Sequence, residues 1–319
     1  MQLCGTLHLR RMGSTFLMAS ALLVCCFAAL MTRCGGFETR PRFLILPGFG
    51  NDAVDYCNPL KKGAEFSFVN FLSLRGYEVD VVPIQRLQWL NILRAIVSKD
   101  FWTSTCKPGF LFDFYFRAVD ESVRNLNAKS VEPIILIGHS AGGWLARGIL
   151  GNGEWAGSST LSCDLVAGLV TLGAPHLPPA EGAPDMTRGA LRSVDFMFPG
   201  AHLCSDTKQS IFYVTVAGTA VTGNRLAVEG SIEKFASNSY EQVTGVSSEL
   251  GEVVGDGVVP TSHAHLNGAE QITLPNCFHS IQSDKWYGGD CFIDTWLPQT
   301  IAAYGRTMKL RVERSNLET

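Results

Sequence analysis

The 319-residue sequence has little charge and few of the motifs that mark metal or nucleic-acid sites. Asp, Glu, Lys and Arg make up 17% of the sequence, whereas soluble domains average about a quarter. The net charge is −3, and no run of basic residues suggests a nucleic-acid partner. The motifs C-x-x-C and H-E-x-x-H are both absent, so we expect no metal ion and no cofactor. No internal repeat or low-complexity tract is visible.

Part of the missing charge is explained by the N-terminus. The stretch Ser14–Met31 is uncharged, with Arg10 and Arg11 before it and Arg33 after it. It is longer than most signal-peptide cores and slightly short for a membrane span. We therefore predict a signal peptide or signal anchor over residues 1–36, and a secreted, endoplasmic-reticulum or membrane-anchored location. Cleavage, retention and an algal-type route into a plastid stay open.

Ten cysteines are present, four of them in this leader. The remaining six allow too many pairings for the sequence to choose between them. Cys277 and Cys291 bracket a short loop, so this is the pair that we would test first for a disulfide.

Residues 37–319 alternate between short apolar runs and segments of helical length. Phe43–Leu46, Ile134–Ile137 and Leu165–Leu172 contain no charged residue, as is typical of strands buried on both faces. Leu87–Val97 and Phe110–Leu126 have the length and spacing of helices. The alternation predicts an α/β domain whose mostly parallel sheet carries helices on both faces.

Two irregular segments interrupt the alternation. Residues 177–210 are rich in Pro, Gly and Ala but carry several large apolar side chains, and residues 218–255 contain one predicted helix near Ile232–Val243. We predict that both segments are cap-like insertions over the site. The first is either a lid or acyl-chain pocket, or an ordinary cap packed on the core.

The stretch Pro133–Gly143, PIILIGHSAGG, reads as a strand, a sharp turn and the start of a helix. Ser140 stands at the apex of a G-x-S-x-G motif, and in this context the motif is typical of the nucleophile elbow of serine hydrolases. The flanking glycines let the strand and the helix pass closely while the serine is held in a strained conformation. We therefore predict that Ser140 is a nucleophile.

A serine nucleophile needs a base within hydrogen-bonding reach and an acid that orients the base. His279 lies in the loop after the predicted last strand, and Asp256 stands between two glycines in a tight turn. In chain order the acid is expected between the serine and the histidine, so we predict Asp256 as the acid and His279 as the base. The alternatives left open are His263 and His265 for the base and, for the acid, Asp195, Asp206 and Glu241.

The developing oxyanion requires hydrogen-bond donors. We expect one from the backbone amide of Ala141, and a second from the loop after the first strand, with Phe49 preferred over Gly50. Gly48, His139 and His176 are predicted to contribute to the substrate site.

Five motifs occur in the same order in plant and algal α/β-hydrolases, which are often predicted to be plastid-associated lipases. They are LPGFGND at 46–52, GHSAGGWLAR at 138–147, TLGAPHLPP at 171–179, GDGVVP at 255–260 and HSI at 279–281. The sequence from Arg42 to Leu297 resembles this family, and more distantly it resembles GPI inositol-deacylases and lecithin–cholesterol acyltransferase-like enzymes. The resemblance implies the α/β-hydrolase fold and a triad of Ser140, Asp256 and His279. Ala174 departs from the pattern, since relatives often have Thr there, and the leader is not covered.

These observations predict a serine hydrolase of carboxylic esters that acts through an acyl-enzyme on an acyl lipid or a small ester. A membrane surface is a further expected partner, and neither a nucleic acid nor an obligate protein partner is expected. Two alternatives use the same fold: transfer of the acyl group to an alcohol, and non-catalytic binding of a lipid or protein. Loss of a triad member would mark a binder, and no member is lost.

Overall fold

The computed structural model describes residues 40–60, 62–130, 132–151, 165–201, 211–247 and 253–318. The predicted leader over residues 1–36 therefore lies outside the described residues. The same holds for Cys163, Cys204 and Asp206, and for parts of both predicted insertions.

Eight strands occur in the described residues. They are β1 (Arg42–Leu46), β2 (Val79–Val81), β3 (Ile134–His139), β4 (Val166–Leu172), β5 (Phe212–Thr219), β6 (Val221–Thr222), β7 (Val254–Gly255) and β8 (Glu270–Pro275). Six of them form one sheet in the order β2-β1-β3-β4-β5-β8, and every pair in it is parallel. β6 and β7 form a separate antiparallel pair. The predicted α/β class and parallel sheet are confirmed.

Helices cover both faces of this sheet. The α-helices are α1 (Val54–Cys57), α2 (Phe68–Leu74), α3 (Lys99–Thr103), α4 (Pro108–Lys129), α5 (Ala141–Gly151), α6 (Ala190–Met197), α7 (Ile232–Thr244), α8 (Thr261–Ala264) and α9 (Asp290–Glu318). Among these described helices, none is long and apolar enough to cross a membrane.

Alternate residues of each central strand enter different cores. Leu44 and Leu46 pack into the core that contains α4 and α5, whereas Phe43 and Ile45 pack into the core that contains α2 and α9. Side chains of a strand alternate between its faces, so a strand covered on both sides must be apolar at every position. This requirement explains the uninterrupted apolar runs of β1, β3 and β4, which are buried along their whole length.

The predicted helix at Leu87–Val97 forms as a 3₁₀-helix over Arg86–Val97. Its buried face is formed by Trp89 and Ala95 with Ile92 packed beside them. The leucines of the segment instead remain exposed to solvent.

The described parts of the two insertions touch each other and the core. α6 of the first insertion places Leu191 and Val194 in the same core as α4 and α5. The backbone amide of Ala180 donates to the carbonyl of Thr244 at the end of α7, over a distance of 2.8 Å. The predicted helix near Ile232–Val243 thus exists, and it is bonded to the other insertion.

Cys277 and Cys291 are free thiols, the first buried and the second exposed. The disulfide that their spacing suggested is therefore absent. Cys57 and Cys106, the other described cysteines, are also free.

Candidate active site

Ser140, His279 and Asp256 lie together where the strands of the main sheet end. Ser140 follows β3 directly, His279 is in the loop after β8, and Asp256 packs beside Gly218 near the end of β5. His279 Nε2 is 3.0 Å from Ser140 Oγ, and His279 Nδ1 is 2.8 Å from Asp256 Oδ2. The serine hydroxyl donates to Nε2, and the Nδ1–H donates to the carboxylate. This is the geometry in which an imidazole accepts the serine proton.

The turn that presents Ser140 depends on its glycines. Ser140 has φ +52°, a left-handed conformation that costs energy for a residue with a side chain. A Cβ on Gly138 would lie 2.5 Å from the Cα of Gly143, and a Cβ on Gly142 would collide with the carbonyl oxygen of Leu46. Both glycines are therefore required for the close passage of β3, α5 and the end of β1.

Asp256 is almost completely buried and receives four hydrogen bonds. Its Oδ1 accepts the amides of Val258 and Val259 at 2.9 and 2.7 Å, and its Oδ2 accepts the Tyr287 hydroxyl at 2.7 Å in addition to His279. Burial by itself would raise the pKa of Asp256, but the charge of His279 and these hydrogen bonds outweigh it and hold the pKa below its ordinary value. Asp256 is thus kept ionised beside the Nδ1–H of His279.

Two tyrosines support the acid, and sequence reasoning missed both. Tyr287 is fully buried, donates to Asp256 and accepts the Gly218 amide at 2.8 Å. Tyr240 of α7 accepts the Gly257 amide at 3.0 Å, so the second insertion supports the turn that carries Asp256. No local motif signals either contact, because Tyr287 is 31 residues from Asp256 in the sequence.

The role of the two predicted oxyanion donors, Phe49 and Ala141, stays a prediction. Ala141 is the first residue of α5, where a backbone amide has no acceptor within the helix. The Phe49 amide has no hydrogen-bond acceptor among the described residues. The amide of Gly48 is unavailable because it donates to the Tyr56 hydroxyl at 3.0 Å. Gly48 instead packs against Ser140, since a Cβ there would lie 2.9 Å from Ser140 Cβ.

His139 does not face the substrate side, contrary to its predicted role. It is 2% exposed, its Nδ1 accepts the Tyr56 hydroxyl at 2.8 Å, and its Nε2–H donates to the backbone carbonyl of His279 at 3.1 Å. Burial, followed by the charge of His279, lowers the pKa of His139 to about 3, so the ring is neutral. Tyr56 also accepts from Asn51 at 3.0 Å. His139 therefore connects the loop that carries Phe49 to the loop that carries the base.

This connection predicts a positioning role for His139. We expect His139→Leu to lower kcat about tenfold to a hundredfold with little change in KM, because the backbone of His279 loses its donor and the base shifts. His139→Gln keeps one donor and one acceptor and is expected to retain most of the rate. Steady-state kinetics and pH profiles on a soluble nitrophenyl ester measure both variants. A leucine variant with the wild-type kcat would contradict the role.

His176 is also buried away from the cleft, so its predicted contact with substrate is wrong. Its Nε2 pairs with the Thr171 hydroxyl at 2.9 Å, and its carbonyl accepts from Arg147 at 2.9 Å. Burial, followed by the charge of Arg147, lowers the pKa of His176 well below its ordinary value. Arg147, which is fully buried on α5, also binds Asp195 at 3.2 Å and the Phe198 carbonyl at 2.9 Å. This cluster attaches the elbow helix to the first insertion.

The other candidates for the acid and base have different partners. His265 bonds Thr215 and Thr273 at 3.0 Å each, and His263 lies 3.1 Å from the hydroxyl of its neighbour Ser262. Asp195 is the partner of Arg147. Glu241 is exposed on α7, and Asp206 lies outside the described residues. In the part of the chain that the structure describes, no cluster of His, Cys, Asp and Glu is arranged to hold a metal ion.

Comparisons with known proteins bear on the fold. No protein-family model matches the sequence, and no curated protein does. The solved structure of Bacillus licheniformis lipase BlEst2 in its mature form is 15% identical, covers 82% of this chain and 92% of its own, and has a TM-score of 0.50. Phospholipase PlaB from Legionella pneumophila is 14% identical over 87% of this chain and 62% of its own, with a TM-score of 0.49. Together with the parallel sheet and its helices, the similarity to the Bacillus structure shows that this chain has the α/β-hydrolase fold.

Proposed function

We propose that the protein is a serine ester hydrolase that cleaves carboxylic esters of acyl lipids through an acyl-enzyme on Ser140. The observation that carries the proposal is the continuous hydrogen-bonded array of Ser140, His279 and Asp256 beside two free backbone amides. An ordinary serine in a turn has neither a base at 3.0 Å nor a buried, ionised acid behind that base.

The array supports acylation through two proton transfers, both at His279 Nε2. Ser140 Oγ attacks the ester carbonyl while its proton moves to His279 Nε2. The carbonyl oxygen becomes an oxyanion and accepts hydrogen bonds from the amides of Phe49 and Ala141. Asp256 accepts the Nδ1–H and stabilises the imidazolium. Collapse of the intermediate breaks the bond to the leaving alkoxide, which takes the proton from Nε2 and departs as the alcohol.

Deacylation repeats these steps with water. His279 Nε2, neutral again, accepts a proton from a water molecule whose oxygen attacks the acyl carbonyl. The second oxyanion uses the same two amides. When it collapses, the bond to Ser140 Oγ breaks, the serine recovers its proton from His279, and the carboxylic acid leaves. An alcohol in place of the water would give acyl transfer by the same atoms.

Acyl lipids are the favoured substrates because the loop that supplies the oxyanion donor carries an exposed apolar side chain. Phe49 is 62% exposed, and its ring packs against Trp89 of the 3₁₀-helix with centroids 5.1 Å apart. An exposed aromatic ring beside this loop provides apolar surface that an acyl chain could contact. The resemblance of five motifs to plant and algal enzymes predicted to be lipases also favours this class.

A fluorophosphonate probe tests the proposal. We expect it to label the native protein on the peptide that contains Ser140, and to leave Ser140→Ala unlabelled. Ser73→Ala, which changes an exposed serine of α2, is the matched control and should be labelled like the wild type. Equal labelling of Ser140→Ala would overturn the assignment. Products from a labelled phospholipid, with and without added alcohol, then distinguish hydrolysis from acyl transfer.

A further inference from the structure

The 3₁₀-helix Arg86–Val97 has an exposed apolar face along its length. With three residues per turn, side chains three apart in the sequence lie above one another, so Leu87, Leu90, Leu93 and Ile96 form a single stripe, here called the leucine face. The three leucines are 54% to 76% exposed. Trp102, 68% exposed, extends the apolar surface at the Ile96 end, where its Nε1 donates to the Ile96 carbonyl at 2.7 Å.

The leucine face is attached rigidly to the oxyanion loop. Trp89, on the buried side of the helix, donates through Nε1 to the carbonyl of Asn51 at 3.0 Å and packs against the ring of Phe49. At the helix start, Arg86 Nε donates to the carbonyl of Gly50 at 3.0 Å, and its guanidinium binds Asp55 at 2.6 Å. A surface that contacted the leucine face would therefore lie beside the loop that carries the free Phe49 amide.

The segment that carries the leucine face has more basic than acidic side chains. The segment from Arg86 to Lys107 has four basic side chains and one acidic one, Asp100. Arg86 is compensated by Asp55. Arg94, Lys99 and Lys107 are exposed and make no ion pair within the described residues. This local excess contrasts with the net charge of −3 for the whole chain.

We propose that the leucine face is the surface by which the protein docks onto an anionic lipid membrane, with Phe49 and the catalytic serine held beside the bilayer. The proposal rests on the proposed function, because it gives the source of the acyl substrate. Apolar side chains, a tryptophan at their edge and flanking cations are what an interfacial helix needs: the apolar groups enter the acyl boundary and the cations meet anionic headgroups.

The charge argues against a second copy of this chain as the occupant. In a two-fold dimer the same patch lies on both sides of the interface. Arg94 and Lys99 of one copy would then lie near Arg94 and Lys99 of the other copy. Like charges that face each other across an interface oppose association. An anionic bilayer complements both the apolar and the charged part of the surface.

The experiment uses the full chain and two esters. One is a soluble short-chain nitrophenyl ester, whose rate reports the folded active fraction of each variant. The other is a long-chain ester carried in phosphatidylcholine vesicles with or without phosphatidylserine. The test variant is Leu90→Ser/Leu93→Ser. Its matched control is Leu310→Ser/Leu317→Ser, two exposed leucines of α9, which packs on the opposite face of the sheet.

We expect the ratio of the vesicle rate to the soluble rate to fall about tenfold or more in the Leu90→Ser/Leu93→Ser variant. The reason is that this variant lacks two leucine side chains that would be partly buried in the lipid. The control variant should keep the wild-type ratio. Arg94→Gln/Lys99→Gln should weaken flotation with phosphatidylserine vesicles about fivefold for each charge removed. Ser140→Ala should float like the wild type, so that docking is measured even if no ester is cleaved.

Three results would overturn the proposal. One is a wild-type ratio in the Leu90→Ser/Leu93→Ser variant, which would mean that the N-terminal segment or another surface holds the membrane. Another is flotation that does not depend on phosphatidylserine. The third is a dimer of the wild-type protein that becomes a monomer in the Leu90→Ser/Leu93→Ser variant. That result would mean that a second copy of the chain, and not a membrane, covers the leucine face. Failure of the wild type to cleave either ester, with flotation intact, would count against the proposed function alone.

Discussion

Ser140→Ala is expected to lower kcat for a soluble nitrophenyl ester by about a millionfold, the scale seen when a triad nucleophile is removed from other hydrolases. Attack on the ester requires an oxygen within reach of a base, and Ser140 Oγ is the hydroxyl that lies 3.0 Å from His279 Nε2. The residual rate comes from substrate binding and from the amides of Phe49 and Ala141. Purified protein with a sensitive fluorogenic ester measures it, and a variant that keeps more than about a hundredth of the rate would place the nucleophile elsewhere.

Ser140→Gly is the matched control for backbone strain at the same position. Both variants lack the nucleophile, so both should show only the residual rate. Ser140 has φ +52°, where a residue with a Cβ is less favourable than glycine by about 1 kcal/mol or slightly more. The glycine variant should therefore have the higher free energy of unfolding in urea. Equal stabilities would mean that the strain at Ser140 does not exceed the roughly 0.4–1 kcal/mol by which glycine's freedom in the unfolded chain lowers stability.

The sheet and the turn at Ser140 could be predicted because their signals are local. β1, β3 and β4 are buried on both faces, and the resulting apolar runs are visible in the sequence. The signal of the elbow is also local. A side chain at Gly138 or Gly142 would collide with residues that are close in the sequence or that lie at the end of β1. Chain order left several candidates for the acid and the base, and the tight turn at Asp256 and the position of His279 after the last predicted strand favoured these two.

Side-chain direction and long-range hydrogen bonds could not be predicted. A position after a strand places a residue at the edge of the sheet, but it does not say which way the side chain points, and His139 and His176 both point inward. Tyr56 and Tyr287 lie far from their partners in the sequence, at 83 residues from His139 and 31 from Asp256. In the 3₁₀-helix, the sequence did not say which apolar side chains are buried, because apolar residues commonly remain on a protein surface.

Asp256→Asn is expected to lower kcat about ten-thousandfold with little change in KM, the size of effect known for this substitution in a serine triad. The carboxylate accepts the Nδ1–H of His279 at 2.8 Å and so keeps Nε2 free to accept the serine proton. An asparagine amide turned toward Nδ1 donates instead, which favours the tautomer with its proton on Nε2. That ring cannot serve as the base. Tyr287→Phe is the control: it removes one hydrogen bond but keeps the carboxylate, and should cost about tenfold or less.

Asp256→Asn should also change how the free energy of unfolding depends on pH. The pKa of Asp256 is lower in the folded protein than its ordinary value. The ionised carboxylate therefore stabilises the folded protein at any pH above the pKa that this carboxyl has in the unfolded chain. This contribution to stability is lost as the pH falls from the unfolded pKa through the folded pKa. The substituted asparagine has no proton to bind, so the Asp256→Asn protein should lose less stability than the wild type between about pH 5 and about pH 3. Urea unfolding of both proteins across this range measures the difference. Parallel curves would mean that Asp256 has the same pKa in the folded and unfolded protein, which would contradict the lowered pKa of this carboxyl.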